Sequence, residues 1–381
     1  MVLKAIDMLQ IGQKTSIPPD YITKVVSFLA MRGAGKTYGC GVIEEEILDY
    51  INEATDNNAN IVVIDPVGAH WGIRTHFPIH ILGGQHADIT IDLDSGKLFA
   101  EMVQKFNLNV ILDVSEFQQD DMVQFVADFL TTYYQLNTTP THIFIEEADV
   151  FAPQRMTSKA QKASLAAVDT VVRRGRGRGI GVTMVTQRPA VLNKNVLTQS
   201  DAAIIMNMTG ETDLKVVGEY LNSAGATKKE VSEYIEKIMK FNKGQALIFS
   251  PSWLKDIKII KFREKVSFHA GAEPKLGEDN PADKIKLIHM AIEPLVHFLN
   301  GDKEGQIHRA EMHIRENKWS DVRIIEGRPE SEAYKANQWE GDPNLMVKQK
   351  IKPINIKRGI ANLLFIGFIV FIGAVLLNTF V

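Results

Sequence analysis

Residues 25–39 read VVSFLAMRGAGKTYG. An apolar run, Val25–Leu29, leads into a short glycine-bearing loop, then Lys36 and Thr37, then YGCGVIEEEILDYI with the spacing of a helix. No other stretch narrows the fold so far. A strand, a glycine loop closing on Lys-Thr and a helix make a phosphate-binding loop, for which the full pattern is G-x-x-x-x-G-K-S/T. Gly33 and Gly35, with Ala34 between them, let the backbone curl so that its N–H groups face phosphate oxygens. Lys36 would reach the β- and γ-phosphates of ATP, and Thr37 would place its hydroxyl on Mg²⁺. The start of the helix adds a partial positive charge. Ala30 stands where the pattern has its first glycine, and an alanine fits there if its φ is negative.

The chain around this loop alternates short apolar runs with longer amphipathic stretches over residues 1–265, which predicts an α/β domain with a mostly parallel sheet. Strands are expected at Val25–Leu29, Ile61–Asp65, Asn109–Asp113, His142–Glu146, Gly181–Thr186, Ala202–Met206 and Gln245–Phe249. Helices are expected at Tyr38–Ala54, Asp121–Tyr134, Lys159–Arg173, Glu211–Leu221 and Lys228–Lys240, the last two separated by a turn with good capping residues.

Two further stretches carry chemistry. THIFIEEADVF, residues 141–151, is an apolar strand ending in Glu146 and Glu147. Beside a phosphate-binding loop, the first acid holds Mg²⁺ through its water shell and the second polarises the attacking water as general base. Aspartate is commoner at the first place, and Glu146 is one methylene longer. The strand at Asn109–Asp113 intervenes in sequence between the loop strand and this one, as in ATPases with a catalytic glutamate. RRGRGRGIGVTMVTQRP, residues 173–189, ends an apolar strand on Gln187, placed to sense the γ-phosphate or orient the lytic water. Arg173, Arg174, Arg176 and Arg178 precede it. A guanidinium on developing phosphoryl charge speeds transfer, and it often comes from a neighbouring subunit; the same run also suits a DNA-facing patch.

These stretches together resemble the HerA/FtsK superfamily of hexameric DNA-pumping ATPases, on the HerA side. RGAGKT, VVIDPVGAHWG, VILDVSEF, IFIEEADVFAP and RRGRGRGIGVTMVTQRPAVLNKNVLTQSDAAIIMNMTGETD fall in order and cover roughly residues 9–265. The resemblance implies a RecA-like P-loop ATPase domain using ATP and Mg²⁺, in a homohexamer with DNA through its pore. By it Lys36 and Thr37 bind nucleotide, Glu146 and Glu147 are the Mg²⁺ and base pair, Gln187 is the sensor, and Arg173, then Arg176, is the finger in trans. Asn207 stands where relatives often have an arginine.

Net charge bears on the DNA expectation. The whole chain carries a formal −3, so any polyanion contact must be local. Residues 151–200 hold Arg155, Lys159, Lys162, the four clustered arginines, Arg188 and Lys194 against a single acid, Asp169. A basic segment in an acidic protein is what a phosphate-tracking surface needs. One cysteine, Cys40, excludes an intrachain disulfide and fits a reducing compartment.

Beyond residue 265 the composition changes. Residues 266–358 read as a polar linker with a helix at Lys284–Leu299 and otherwise poor periodicity. Residues 359–381, GIANLLFIGFIVFIGAVLLNTFV, are uncharged and at ~1.5 Å per residue long enough to cross a ~30 Å hydrocarbon layer. Lys348, Lys350, Lys352, Lys357 and Arg358 precede them and favour the cytoplasmic side. The expectation is a single-pass, tail-anchored motor with its ATPase domain cytoplasmic. Three uses compete: a membrane-anchored DNA translocase for packaging or transfer, a membrane-anchored assembly ATPase acting on protein, like the Zot-type proteins of filamentous phages, and a nucleotide-gated membrane scaffold with little turnover.

Overall fold

The computed structural model describes residues 8–54, 58–271 and 285–301. Its strands are β1 (Leu9–Gly12), β2 (Thr15–Ile17), β3 (Val25–Leu29), β4 (Asn60–Asp65), β5 (His80–Leu82), β6 (Val110–Asp113), β7 (Thr141–Ile145), β8 (Ile180–Thr186), β9 (Ala202–Met206), β10 (Gln245–Ser250) and β11 (Asp256–Lys261). Its helices are α1 (Lys36–Ala54), α2 (Gly96–Lys105), α3 (Gln119–Leu136), α4 (Ala148–Phe151), α5 (Lys159–Arg174), α6 (Lys194–Leu197), α7 (Glu211–Ser223), α8 (Lys228–Ile238) and α9 (Glu293–Leu299).

β1 and β2 form a separate hairpin, and the other nine strands make one sheet in the order β11-β10-β9-β3-β8-β7-β4-β6-β5. From β9 to β5 every pairing is parallel; β10 and β11 add an antiparallel margin. The sheet is mostly parallel because helices cover both its faces, which is why its central strands are continuous apolar runs rather than alternating ones. Val25 and Leu29 of β3 join one core with Phe99 of α2, Phe125 and Phe129 of α3, Val168 of α5 and Val217 of α7. Val26 and Phe28, one residue out of phase, join the other with Val42, Ile43 and Ile47 of α1 and Leu9 and Ile11 of the hairpin. The turn before α8 is closed by a capping box in which Thr227 and Glu230 satisfy each other's backbone N–H groups, a device worth about 1 kcal/mol.

The strand ending at Asp113 precedes the acid strand β7 in sequence, as expected, and in space it lies between β4 and β5, while β8 separates β3 from β7. Two expectations change. The helix expected from Lys284 forms only at Glu293–Leu299, because Pro294 fits the first turn and not a helix interior. The described residues before it, 285–292, have no regular secondary structure, and Ile288 N donates to Arg74 O while Ile288 O accepts from Arg74 Nε. Residues 266–271, placed at the start of the linker by composition, lie on the domain: Ser267 donates to Glu45 on α1, and Phe268 packs on Trp71. Leu295 and Phe298 of α9 pack on the core beside Phe106. Among the described residues no helix is long and apolar enough to cross a membrane, and the apolar stretch 359–381 lies outside them.

Candidate active site

Parallel strands point all their carboxyl ends to one edge of the sheet, where the chain turns into its loops. Register sets three of those ends level: Leu29 of β3 pairs with Thr186 of β8, and Ile145 of β7 pairs with Met184. The loop 30–36, the acids 146 and 147 and Gln187 therefore leave three neighbouring strands side by side.

Gly33 and Gly35 have φ of +81° and +99°, values that an L side chain rarely adopts, and this is the curl that turns successive N–H groups inward. Ala30 is fully buried and its φ is not positive, so its methyl group is accommodated. Lys36 opens α1, donating to Glu146 Oε2 at 2.7 Å and Glu147 Oε1 at 3.1 Å. Gln187 Nε2 donates to the same Glu147 Oε1 at 2.5 Å. Burial works against the charges of Lys36 and Glu146, but the two carboxylates outweigh it at the lysine, and Lys36 and then His70 outweigh it at Glu146. The lysine pKa is raised and the Glu146 carboxyl lies well below the usual carboxylate range. Both groups are ionised at neutral pH. Glu147 is the backbone exception: a non-glycine residue at φ +47°, ψ 49°, a left-handed conformation that costs about 1–2 kcal/mol. Strain of this kind persists where surrounding structure imposes it, commonly at functional positions.

The neighbouring residues were not singled out from sequence. Asp149 accepts from Thr186 Oγ1 at 2.6 Å, both buried, tying α4 behind the acids to the end of β8 behind Gln187. Asp65 ends β4 and accepts four backbone N–H groups, from Val67, Gly68, Ala69 and His70, which fixes the loop 66–70. That loop delivers His70, 3% exposed, between Glu44 of α1 and Glu146. Its Nδ1 is 3.0 Å from Glu44 Oε2, and its Nε2 is 3.2 Å from Glu146 Oε1, at ion-pair distance without hydrogen-bond alignment. The signal was present: an acid inside an apolar helix face and an Asp followed by small residues at a strand's carboxyl end.

The arginine run does not reach this site within its own protomer. Arg173 and Arg174 end α5, and Arg176 and Arg178 lie in the following turn before β8. The seven residues of β8, at ~3.3 Å each, put them about 20 Å from Gln187, at the opposite edge of the sheet. Arg173 pairs with Asp169 at 2.7 Å, and Arg178 lies over Tyr134 and donates to Gln135 O. Arg174 and Arg176 are exposed, their guanidinium groups unpaired among the described residues. Asn207 binds the carbonyls of Met239 and Phe241 and accepts from Met31 N, a brace between the P-loop and the end of α8.

Comparison with known proteins matches residues 13–267 to the family model of the HerA helicase central domain. The chain belongs to that family. The matched span holds the P-loop, the acid pair, Gln187 and the arginine run. The DNA double-strand break repair helicase HerA of Pyrococcus furiosus is 26% identical over 136 residues, 36% of this chain and 23% of the relative. That of Saccharolobus solfataricus is 26% identical over 200 residues, 50% of this chain and 36% of the relative. The chain thus spans well under half of these relatives. Among solved structures, the genome packaging NTPase B204 of Sulfolobus turreted icosahedral virus 2, in complex with AMPPCP, aligns at a TM-score of 0.41 and 18% identity, over 64% of this chain and 99% of that one. VirB4 of Thermoanaerobacter pseudethanolicus aligns at 0.46 and 10%, over 68% and 96%.

Proposed function

We propose that this HerA-type protein hydrolyses ATP to move DNA, as a homohexameric ring held at a membrane by residues 359–381. The observation that carries the chemistry is the junction of Lys36, Glu146, Glu147 and Gln187 at the ends of adjacent strands. ATP binding at the curled loop gives Lys36 a phosphate partner in place of the carboxylates. Glu147, released from the lysine but still held by Gln187, then accepts a proton from the attacking water. The donor set suits Mg²⁺: Thr37 brings a hydroxyl to the first turn of α1, and Glu146 is an ionised carboxylate whose Oε2 is freed when Lys36 turns to the nucleotide. Mg²⁺ there would draw off charge developing on the transferred phosphoryl group.

The ring reading is supported by the arginines, which lie too far from their own site to act there and suit a neighbour's. Family membership and the basic segment 151–200 support DNA as the substrate. Anchoring rests on the sequence of residues 359–381 and the five cations before them. The deciding measurement is steady-state phosphate release from the full chain in detergent or vesicles, with and without single- and double-stranded DNA. Stimulation by DNA is expected. A rate indifferent to DNA refutes translocation and turns the reading to the protein-assembly ATPase.

A further inference from the structure

We infer that His70 is a positioning residue, which holds Glu146 in place when Lys36 turns from the acid pair to the nucleotide. The inference rests on the ATPase reading and adds to it a residue outside the loop, the acid pair and the sensor.

Lys36 has two carboxylate partners, and it cannot keep both geometries once it reaches for a γ-phosphate. The two acids then face different fates. Glu147 has 18% of its side chain exposed and retains Gln187. Glu146 is 2% exposed, and a buried carboxylate that loses its partner is strongly disfavoured. The other side chain within ion-pair distance of it among the described residues is His70, at 3.2 Å on the opposite oxygen, Oε1. The two oxygens of Glu146 are therefore divided: Oε2 to the lysine that leaves, Oε1 to the histidine that stays.

His70 is itself fixed on both sides. Its backbone N–H is bound by Asp65 Oδ2 at 2.8 Å, and its Nδ1 faces Glu44 Oε2 at 3.0 Å, with Glu44 fully buried on α1, the helix that Lys36 opens. The imidazole thus links the P-loop helix to the acid strand β7 without passing through Lys36. It also explains how a glutamate serves where aspartate is commoner. The extra methylene of Glu146 brings its carboxylate between Lys36 and His70; an aspartate would draw back from the imidazole by about 1.5 Å.

The test is the affinity of a fluorescent ATP analogue for the full-length protein, measured in excess Mg²⁺ and in EDTA. The ratio of the two affinities reports the metal's contribution. His70→Ala should cut that ratio about tenfold or more, the range found when groups that orient metal ligands are removed. His70→Gln, which retains an N–H donor and most of the volume, should restore part of it and covers the case in which the alanine variant does not fold. Glu146→Asp should lower the ratio as well, and adding His70→Gln to it should do little more, because the contact is already broken. A wild-type ratio in both His70 variants, or strictly additive effects in the double variant, overturns the inference alone. A wild-type chain that binds no nucleotide, or binds it equally with and without Mg²⁺, overturns the ATPase reading and this inference with it.

Discussion

Replacing Glu147 by glutamine isolates the proton-accepting step. The side chain keeps its length and branching, so the left-handed backbone at φ +47° carries the same strain in both forms. Lys36 loses one carboxylate but keeps Glu146 at 2.7 Å, and Gln187 can still donate to the oxygen of a glutamine side chain. The lost ion pair involves a partly exposed acid, so its removal should change stability by no more than about 1 kcal/mol after solvent screening. Binding of ATP should survive or tighten, because one competitor for Lys36 is gone. Turnover should not survive: an amide does not accept a proton from water, and a general base is worth about 10²–10⁴ in rate, or about 3–5 kcal/mol of barrier. The assay pairs equilibrium binding of a fluorescent ATP analogue with single-turnover phosphate release. Hydrolysis within about tenfold of wild type would refute the base assignment. Loss of binding along with turnover would instead make the Lys36–Glu147 pair structural.

Lys36→Ala should abolish detectable nucleotide binding while leaving the fold intact, as judged by circular dichroism, since Glu146 keeps His70. Arg173→Ala and Arg176→Ala should each reduce turnover without affecting nucleotide affinity, and mixing either with Lys36→Ala should restore some activity at mixed interfaces; recovery is read by phosphate release, and none on mixing argues against a ring. His142 lies fully buried with its pKa lowered by burial from 6.5 to about 3. Below pH 6.5 the unfolded chain binds a proton the native state refuses, so stability should fall as pH drops from about 6.5 toward 3, by of order 4 kcal/mol from this group. The slope is measured by urea unfolding across that range, and His142→Asn should flatten it. Deleting residues 359–381 should leave DNA-stimulated ATPase activity and move the protein from the membrane pellet to the supernatant.

Much of this architecture is legible because central parallel strands are buried on both faces and so appear as unbroken apolar runs. β3 and β9 fall at their expected limits, and β4, β6, β7, β8 and β10 within a residue or so at either end. What fails to show is what lacks that signature. β5 is three residues, His80–Leu82, between a proline and a glycine pair. β11, DIKIIK, is an edge strand whose half-buried Lys258 and exposed Lys261 guard an unpaired margin, and it reads as loop. α2 begins after a polar turn without a side-chain cap. The P-loop, the acid pair and Gln187 are legible because each sits at a strand end within a few residues of its own signature. His70 is not, since its partners are 26 and 76 positions away and only the sheet order brings them together.

The run Glu44-Glu45-Glu46 shows what such long-range pairing does to a local reading. Three successive acids on a helix point about 100° apart and would ordinarily be taken as a solvated charge cluster. Here all three are buried, at 0%, 0% and 7% exposure, because each finds partners of its own or shares Arg263. Glu44 meets His70. Glu45 accepts from Arg263 and from the backbone N–H and hydroxyl of Ser267. Glu46 accepts from Arg263 Nε at 2.7 Å and from the backbone of Gln10 in the hairpin. α1 is therefore enclosed on all sides, by the loop after β4, by the segment 263–268 and by β1. Every one of these ties bears on the helix that begins with Lys36. The helix that opens on Lys36 is thus clamped from three directions by buried polar contacts, and breaking a buried ion pair such as Arg263 with Glu45 costs roughly 3–5 kcal/mol. On the proposed ATPase reading, such a helix resists shifting when a phosphate meets its start, and the side chains left to respond are Glu147 and Gln187 at the ends of the strands beside it.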